Sequence, residues 1–145
     1  MTQKERLGMV APCGIDCGIC ELVKCADNPQ MMEALVAHRI PREKLPCAGC
    51  RGMKGKCPVI PGTCETWRCV TEKKVEFCHQ CADFPCSRLS PASDRANVLP
   101  HNMKVFNLCA IRRLGVEGFV GQSAVLMQTY YRGKIEVGKG PRLPS

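Results

Sequence analysis

Aromatic residues are scarce in this chain: its 145 residues include one Trp, two Tyr and four Phe. Between residues 12 and 88 there are only Trp67, Phe77 and Phe84. That stretch is rich in Gly, Pro, Lys and Arg, and it lacks the apolar mass to offset its conformational entropy by burial alone. A covalent or coordinate staple must hold it together. Long apolar runs are also missing. The opening "MTQKERLGMVAPCG" has basic residues but no apolar core of signal-peptide length, and nowhere do about twenty apolar residues follow one another to span a membrane. No Ser, His and acid arrangement, paired-carboxylate set or Gly-rich phosphate loop stands out. The "GKG" of the tail lacks the strand and helix that such a loop requires. These absences give no positive evidence for an enzyme and lead to the expectation of a protein in a reducing cytoplasm.

Cysteine, by contrast, is abundant, at thirteen residues. In a reducing compartment Cys-x-x-Cys clusters read as metal ligands rather than as disulfides. Twelve of the thirteen fall in clusters: Cys13, Cys17, Cys20 and Cys25; then Cys47, Cys50, Cys57 and Cys64; then Cys69, Cys78, Cys81 and Cys86. A Cys-x-x-Cys clasp works because a tight turn brings two thiolates within about 2.3 Å of one ion, while two further ligands complete a tetrahedron. "CAGC", with Gly49 inside it and Gly52 beyond, and "CHQC" are such clasps. Twelve ligands would fill three four-thiolate sites. A sequential partition follows the three clusters just named, and interleaved ligand sets are equally allowed. Cys109 is left over, inside an amphipathic segment that predicts a small buried hydrophobe.

The thiolate set suits zinc at least as well as iron and sulfur. The spacing Cys13-x3-Cys17-x2-Cys20 is that by which radical enzymes using S-adenosylmethionine hold a four-iron cluster. Those enzymes need a barrel of roughly 200 residues or more, which this chain cannot build. Zinc is therefore the expected metal and 4Fe-4S clusters are the alternative. The formal net charge of +8 counts cysteine as neutral. Twelve thiolates with three divalent ions add −12 and +6, which leaves about +2. Residues 39 to 74 still carry nine Lys and Arg against three acids, with Arg51, Lys54 and Lys56 beside a clasp. Compensation of thiolate charge explains this better than nucleic-acid contact, because aromatics for stacking on bases are few. Of the histidines, His79 is expected to face solvent within its clasp, His38 to sit at a helix end, and His101 has no partner that the sequence identifies.

Local patterning places these motifs. Asn28 as N-cap and Pro29 at the first position predict a helix with Met32, Leu35, Val36 and Arg39 at helical spacing, ended before Pro41. Residues 41 to 64 read as turns. "SRLSPASDRANVLP" is a polar connector. Met103, Phe106, Ala110 and Leu114 then form one helical stripe closed by Gly115, and a second helix carries Phe119, Val120, Val125, Leu126 and Tyr130. The tail should add one short strand. Cys17-x2-Cys20-x4-Cys25 and Cys78-x2-Cys81-x4-Cys86 share their spacing, as coincident clasp geometry would produce. The expected fold is a small metal-stapled α+β or irregular one. Residues 1–90 form a cysteine-rich lobe of turns and short strands with one helix, residues 91–132 a helical hairpin packed on it, and residues 133–145 a tail.

The stretches "APCGIDCGIC", "CAGC", "CETWRCVTEKKVEFCHQCADFPCSRL" and "NLCAIRRLGVEGF" resemble domain-of-unknown-function family 3795, a family of small cysteine-rich bacterial and archaeal proteins. The resemblance implies a metal-binding scaffold and carries over Cys13, Cys17, Cys20, Cys47, Cys50, Cys64, Cys69, Cys78, Cys81 and Cys86. Cys25 and Cys57 have no place in that pattern. The expected function is a non-enzymatic zinc protein with two or three thiolate sites that presents a surface to a protein partner or larger complex. The alternative is an iron–sulfur electron-transfer or accessory subunit of an anaerobic enzyme.

Overall fold

A computed structural model describes residues 1–144. Short helices joined by turns make up most of the chain, with one two-stranded sheet at the end, which gives a small irregular α+β fold. The helices are α1 (Gln3–Gly8), α2 (Glu21–Lys24), α3 (Pro29–Ala37), α4 (Gly49–Gly52), α5 (Glu65–Glu72), α6 (Lys104–Val120) and α7 (Ser123–Arg132). The strands β1 (Lys134–Glu136) and β2 (Gly140–Arg142) pair antiparallel, Ile135 opposite Pro141.

Side-chain caps start two of the seven helices. Thr2 accepts from the Glu5 amide while the Glu5 side chain accepts from the Thr2 amide, a reciprocal cap that starts α1. The Asn28 side chain accepts from the Met31 amide at 3.0 Å and starts α3 as the sequence predicts. Helix α3 ends at Ala37, and Arg39 beyond it takes a φ of 66°. Gly115 also behaves as expected. Its φ of 72° breaks the helical path of α6, so residues 116 to 120 form a separate helical turn before α7.

Three expectations need correction. The tail forms a two-stranded hairpin rather than one strand. The first 90 residues hold five helices, α1 to α5, and no strand, where one helix and short strands were expected; α5 buries Thr66 and Val70 one turn apart. The buried face of α6 is also rotated from the predicted stripe. Met103 and Ala110 are buried, but Phe106 and Leu114 are exposed, and Asn107, Leu108 and Ile111 take the inner positions. Polar Asn107 lies inside because its Nδ2 donates to the Gly14 carbonyl at 3.0 Å, and an apolar-stripe count passes over such a residue.

One apolar cluster draws on both halves of the chain. Val10, Val70, Phe77 and Leu89 meet Leu108, Ile111 and Phe119, and Phe119 is fully enclosed. Beside this cluster lies a polar junction. Asp16, whose side chain is 1% exposed, accepts from Arg6 Nη1 and Nη2 at 2.7 and 2.5 Å, from the Gly18 amide at 2.9 Å, and from Ser123 Oγ at 2.5 Å. It joins α1, the first cysteine loop and α7. Among the described residues no helix is long and apolar enough to cross a membrane.

Candidate metal centre

Two turns of nearly identical backbone carry the first and last clasps. Cys17–Ile19 and Cys78–Gln80 are each a single 3-10 turn, closed by the amides of Cys20 and Cys81 donating to Cys17 and Cys78 at 3.1 Å. Cys20 has φ −74° and ψ 138°, and Cys81 has φ −75° and ψ 139°. The Cys-x2-Cys part of the shared spacing therefore corresponds to a shared local conformation, whereas α2 leads on to Cys25 and a non-helical stretch to Cys86.

The last four clustered cysteines come together in space. Cys69 on α5, Cys78 and Cys81 on the turn, and Cys86 line one cavity of about 30 Å³, with Val70 and Leu89 behind them. A void of that size has room for a water or an ion. Against Cys81 stand the Asp83 amide, which donates to its sulfur at 3.4 Å, and Lys73, which pairs with Asp83. Lys73 lies at the turn of the charged stretch "TEKK", and it is raised above the usual lysine range by Asp83 and Cys81.

Members of the first two cysteine clusters approach one another across the chain. The Cys47 amide donates to the Leu22 carbonyl at 2.7 Å, and the Cys25 thiol donates to the same oxygen at 3.3 Å. The Cys50 amide donates to Cys17 Sγ at 3.5 Å. Arg51 fixes that approach, because its Nε donates to the Val10 carbonyl at 2.9 Å and its Nη2 to the Glu76 carbonyl at 3.1 Å. Its guanidinium also lies over the Phe77 ring, 4.8 Å from the centroid. Arg51 is thus a brace, a role that its place in a basic stretch did not reveal. The Cys78 amide donates to the Pro12 carbonyl at 2.9 Å and sets the last clasp beside Cys13.

Electrostatics follow from this crowding. Burial pushes the thiols of Cys17, Cys50 and Cys78 up to about 12, and neighbouring thiolates push in the same direction. Cys13, Cys20 and Cys47 are raised for the same first reason. Working against burial, the backbone amides of Ile15, Leu22 and Gly49, each two residues further on, lower the thiols of Cys13, Cys20 and Cys47. Amides so placed favour thiolate and orient it as a ligand. Lys104 adds a positive charge near Cys13 and Cys78.

All twelve clustered cysteines are buried or half-buried, whereas Cys109 is exposed, contrary to the buried hydrophobe expected there. His79 stacks on Phe77 with ring centroids 5.7 Å apart, and His101 Nε2 finds the Ser90 carbonyl at 2.9 Å. Among the described residues no three His, Cys, Asp or Glu side chains meet at the spacing of a single ion. Cys69, Cys78, Cys81 and Cys86 nonetheless line one cavity. The donor set fits a soft metal: thiols alone, with amides directed at sulfur.

Sequence reasoning missed Asp16, Asn107 and Ser123, which position the Cys13–Cys20 loop. Asp16 had a readable signal, an Asp immediately before a Cys-x-x-Cys turn whose side chain caps that turn through the Gly18 amide. Asn107 and Ser123 had none, since their partners lie 93 and 107 residues away.

A family model described as "Protein of unknown function (DUF3795)" matches residues 9–91. That span contains all twelve clustered cysteines and excludes Cys109. Neither the curated proteins nor the solved structures hold a match to the chain.

Proposed function

The chain belongs to the family of unknown function DUF3795, and from that footing we propose that it is a non-enzymatic metal–thiolate protein in which zinc completes the fold. The observation that carries this reading is the meeting of Cys69, Cys78, Cys81 and Cys86 on one cavity of ion size. In physical terms the metal would replace missing apolar mass. A structural zinc site in small peptides contributes on the order of 10 kcal/mol to folding, more than a lobe with three aromatics gains from packing them. The protein's own share is to deliver the thiols, aim amides at sulfur and neutralise local charge through Lys73 and Lys104. A surface for a protein partner in the cytoplasm completes the proposal, with the α6–α7 segment and the exposed tail hairpin as its candidate parts.

Purification without oxygen, followed by elemental analysis and an absorption spectrum, tests it. The expected result is a colourless protein with two to three zinc ions per chain, roughly one per four thiolates. A brown protein with broad absorbance near roughly 400 nm and stoichiometric iron would replace zinc with 4Fe-4S clusters and make the electron-transfer reading the better one. A folded protein free of both metals would overturn the proposal.

A further inference from the structure

We propose that the groove between α1 and the segment after Gly115 binds a small organic monoanion, a carboxylate carried on an apolar ring or short chain. The groove has a volume of about 340 Å³, within the size range of small-molecule sites. None of the clustered cysteines lines it, so its ligand does not depend on the metal–thiolate reading. Its apolar walls come from three parts of the chain: Leu7 on α1, Phe77 before the last clasp, and Val116 just beyond the Gly115 break. Leu7 and Val116 are half-buried and Phe77 is buried. Gly8 keeps the groove open. A Cβ there would meet nothing within 4 Å, and its backbone lies outside the left-handed region.

Charge selects the ligand. The charged residues that line the groove are Lys4, Arg51 and Glu76, two cations and one acid, which leaves a net charge of +1. Glu76 is already engaged: its carboxylate stands 3.8 Å from Arg51 Nη2, and its carbonyl accepts from the same nitrogen at 3.1 Å. Among the described residues Lys4 makes no ion pair, and Arg51 Nη1 has no hydrogen-bond partner. Arg51 is also held in advance, by the Val10 carbonyl and by the Phe77 ring beneath its guanidinium, so it loses little freedom when a ligand arrives. A guanidinium and an ammonium beside apolar walls suit one carboxylate, whose charge they offset through charge-assisted hydrogen bonds. A phosphate dianion would keep one charge uncompensated, and a cation would add to the excess already there. The apolar body of the ligand supplies the rest of the affinity by covering Leu7 and Val116.

The test uses the full chain as purified without oxygen, followed by amide chemical-shift titration with phenylacetate and with hexanoate, a ring and a short chain on one carboxylate. At least one should give saturable shifts at Lys4, Leu7 and Gly8, with a Kd of about 1 mM or tighter. The uncharged 2-phenylethanol and the cationic phenethylamine should bind at least about fivefold more weakly than phenylacetate. Lys4→Gln should weaken carboxylate binding about threefold. Gly8→Leu places a side chain in the groove and should abolish saturation, while metal content and circular dichroism stay at their wild-type values. The proposal is overturned if neither carboxylate saturates, if the alcohol or the amine binds as well as phenylacetate, if the shifts lie away from α1, or if Gly8→Leu binds like wild type. If Gly8→Leu does not fold, the comparison of the probes on the wild-type chain decides. A chain without metal that still binds the carboxylate would refute the metal–thiolate reading alone, which separates the two failures.

Discussion

Replacing Asp16 by Asn tests whether the polar junction holds the first cysteine loop. The carboxylate receives four donors, two of them from one guanidinium, and its side chain is 1% exposed against 23% for Arg6. Asn keeps one acceptor oxygen but adds two N–H donors and removes the negative charge opposite Arg6. Leaving one partner of a buried pair uncompensated costs about 3–5 kcal/mol, and the partial exposure of Arg6 points to the lower end, about 3 kcal/mol. With a urea slope of about 2 kcal/mol per molar, the unfolding midpoint should fall by about 1.5 M. The assay is urea unfolding of the metal-loaded protein followed by far-ultraviolet circular dichroism, with wild type and variant compared at the same metal content. Arg6→Met should cost a similar amount, and the double variant should cost less than the sum of the two. A midpoint within about 0.3 M of wild type for Asp16→Asn would refute the junction as a structural anchor.

Further expectations follow from single positions. Phe119→Ala removes a fully enclosed ring from the shared cluster and should lower stability by about 3–5 kcal/mol in the same titration. Gly14→Ala meets both strain and crowding. Its φ is 86°, and a Cβ would approach Leu108 Cγ at 3.0 Å and the Lys104 carbonyl at 3.1 Å, so a loss of about 1–3 kcal/mol is expected by thermal or urea unfolding. Metal binding releases thiol protons and should weaken as the pH is lowered, which a proton-release titration measures.

The sequence made the inventory of thiols legible, because cysteine spacing in a chain poor in aromatics is a local signal. The family match over residues 9–91 agrees with it. Helix α3 was equally legible, since Asn28 and Pro29 are adjacent and act on their own turn. What brings the thiols together was not legible. Arg51 reads as one more basic residue until its bonds to the Val10 and Glu76 carbonyls, 41 and 25 residues away, are seen. The inward face of α6 was misplaced for the same reason, because a bond to Gly14 outweighs polarity at Asn107. Cys109 was placed inside on the strength of its residue type, yet its side of the helix faces water.

The central claim is that thiolates bound to metal, rather than free thiols, hold this fold. Thiol titration of protein purified without oxygen, before and after a strong chelator and with circular dichroism recorded at each stage, tests it directly. The account predicts that only Cys109 reacts at first, and that twelve more thiols react as metal leaves and native signal is lost. Thirteen thiols reacting at once in a chain that keeps its native spectrum would contradict it.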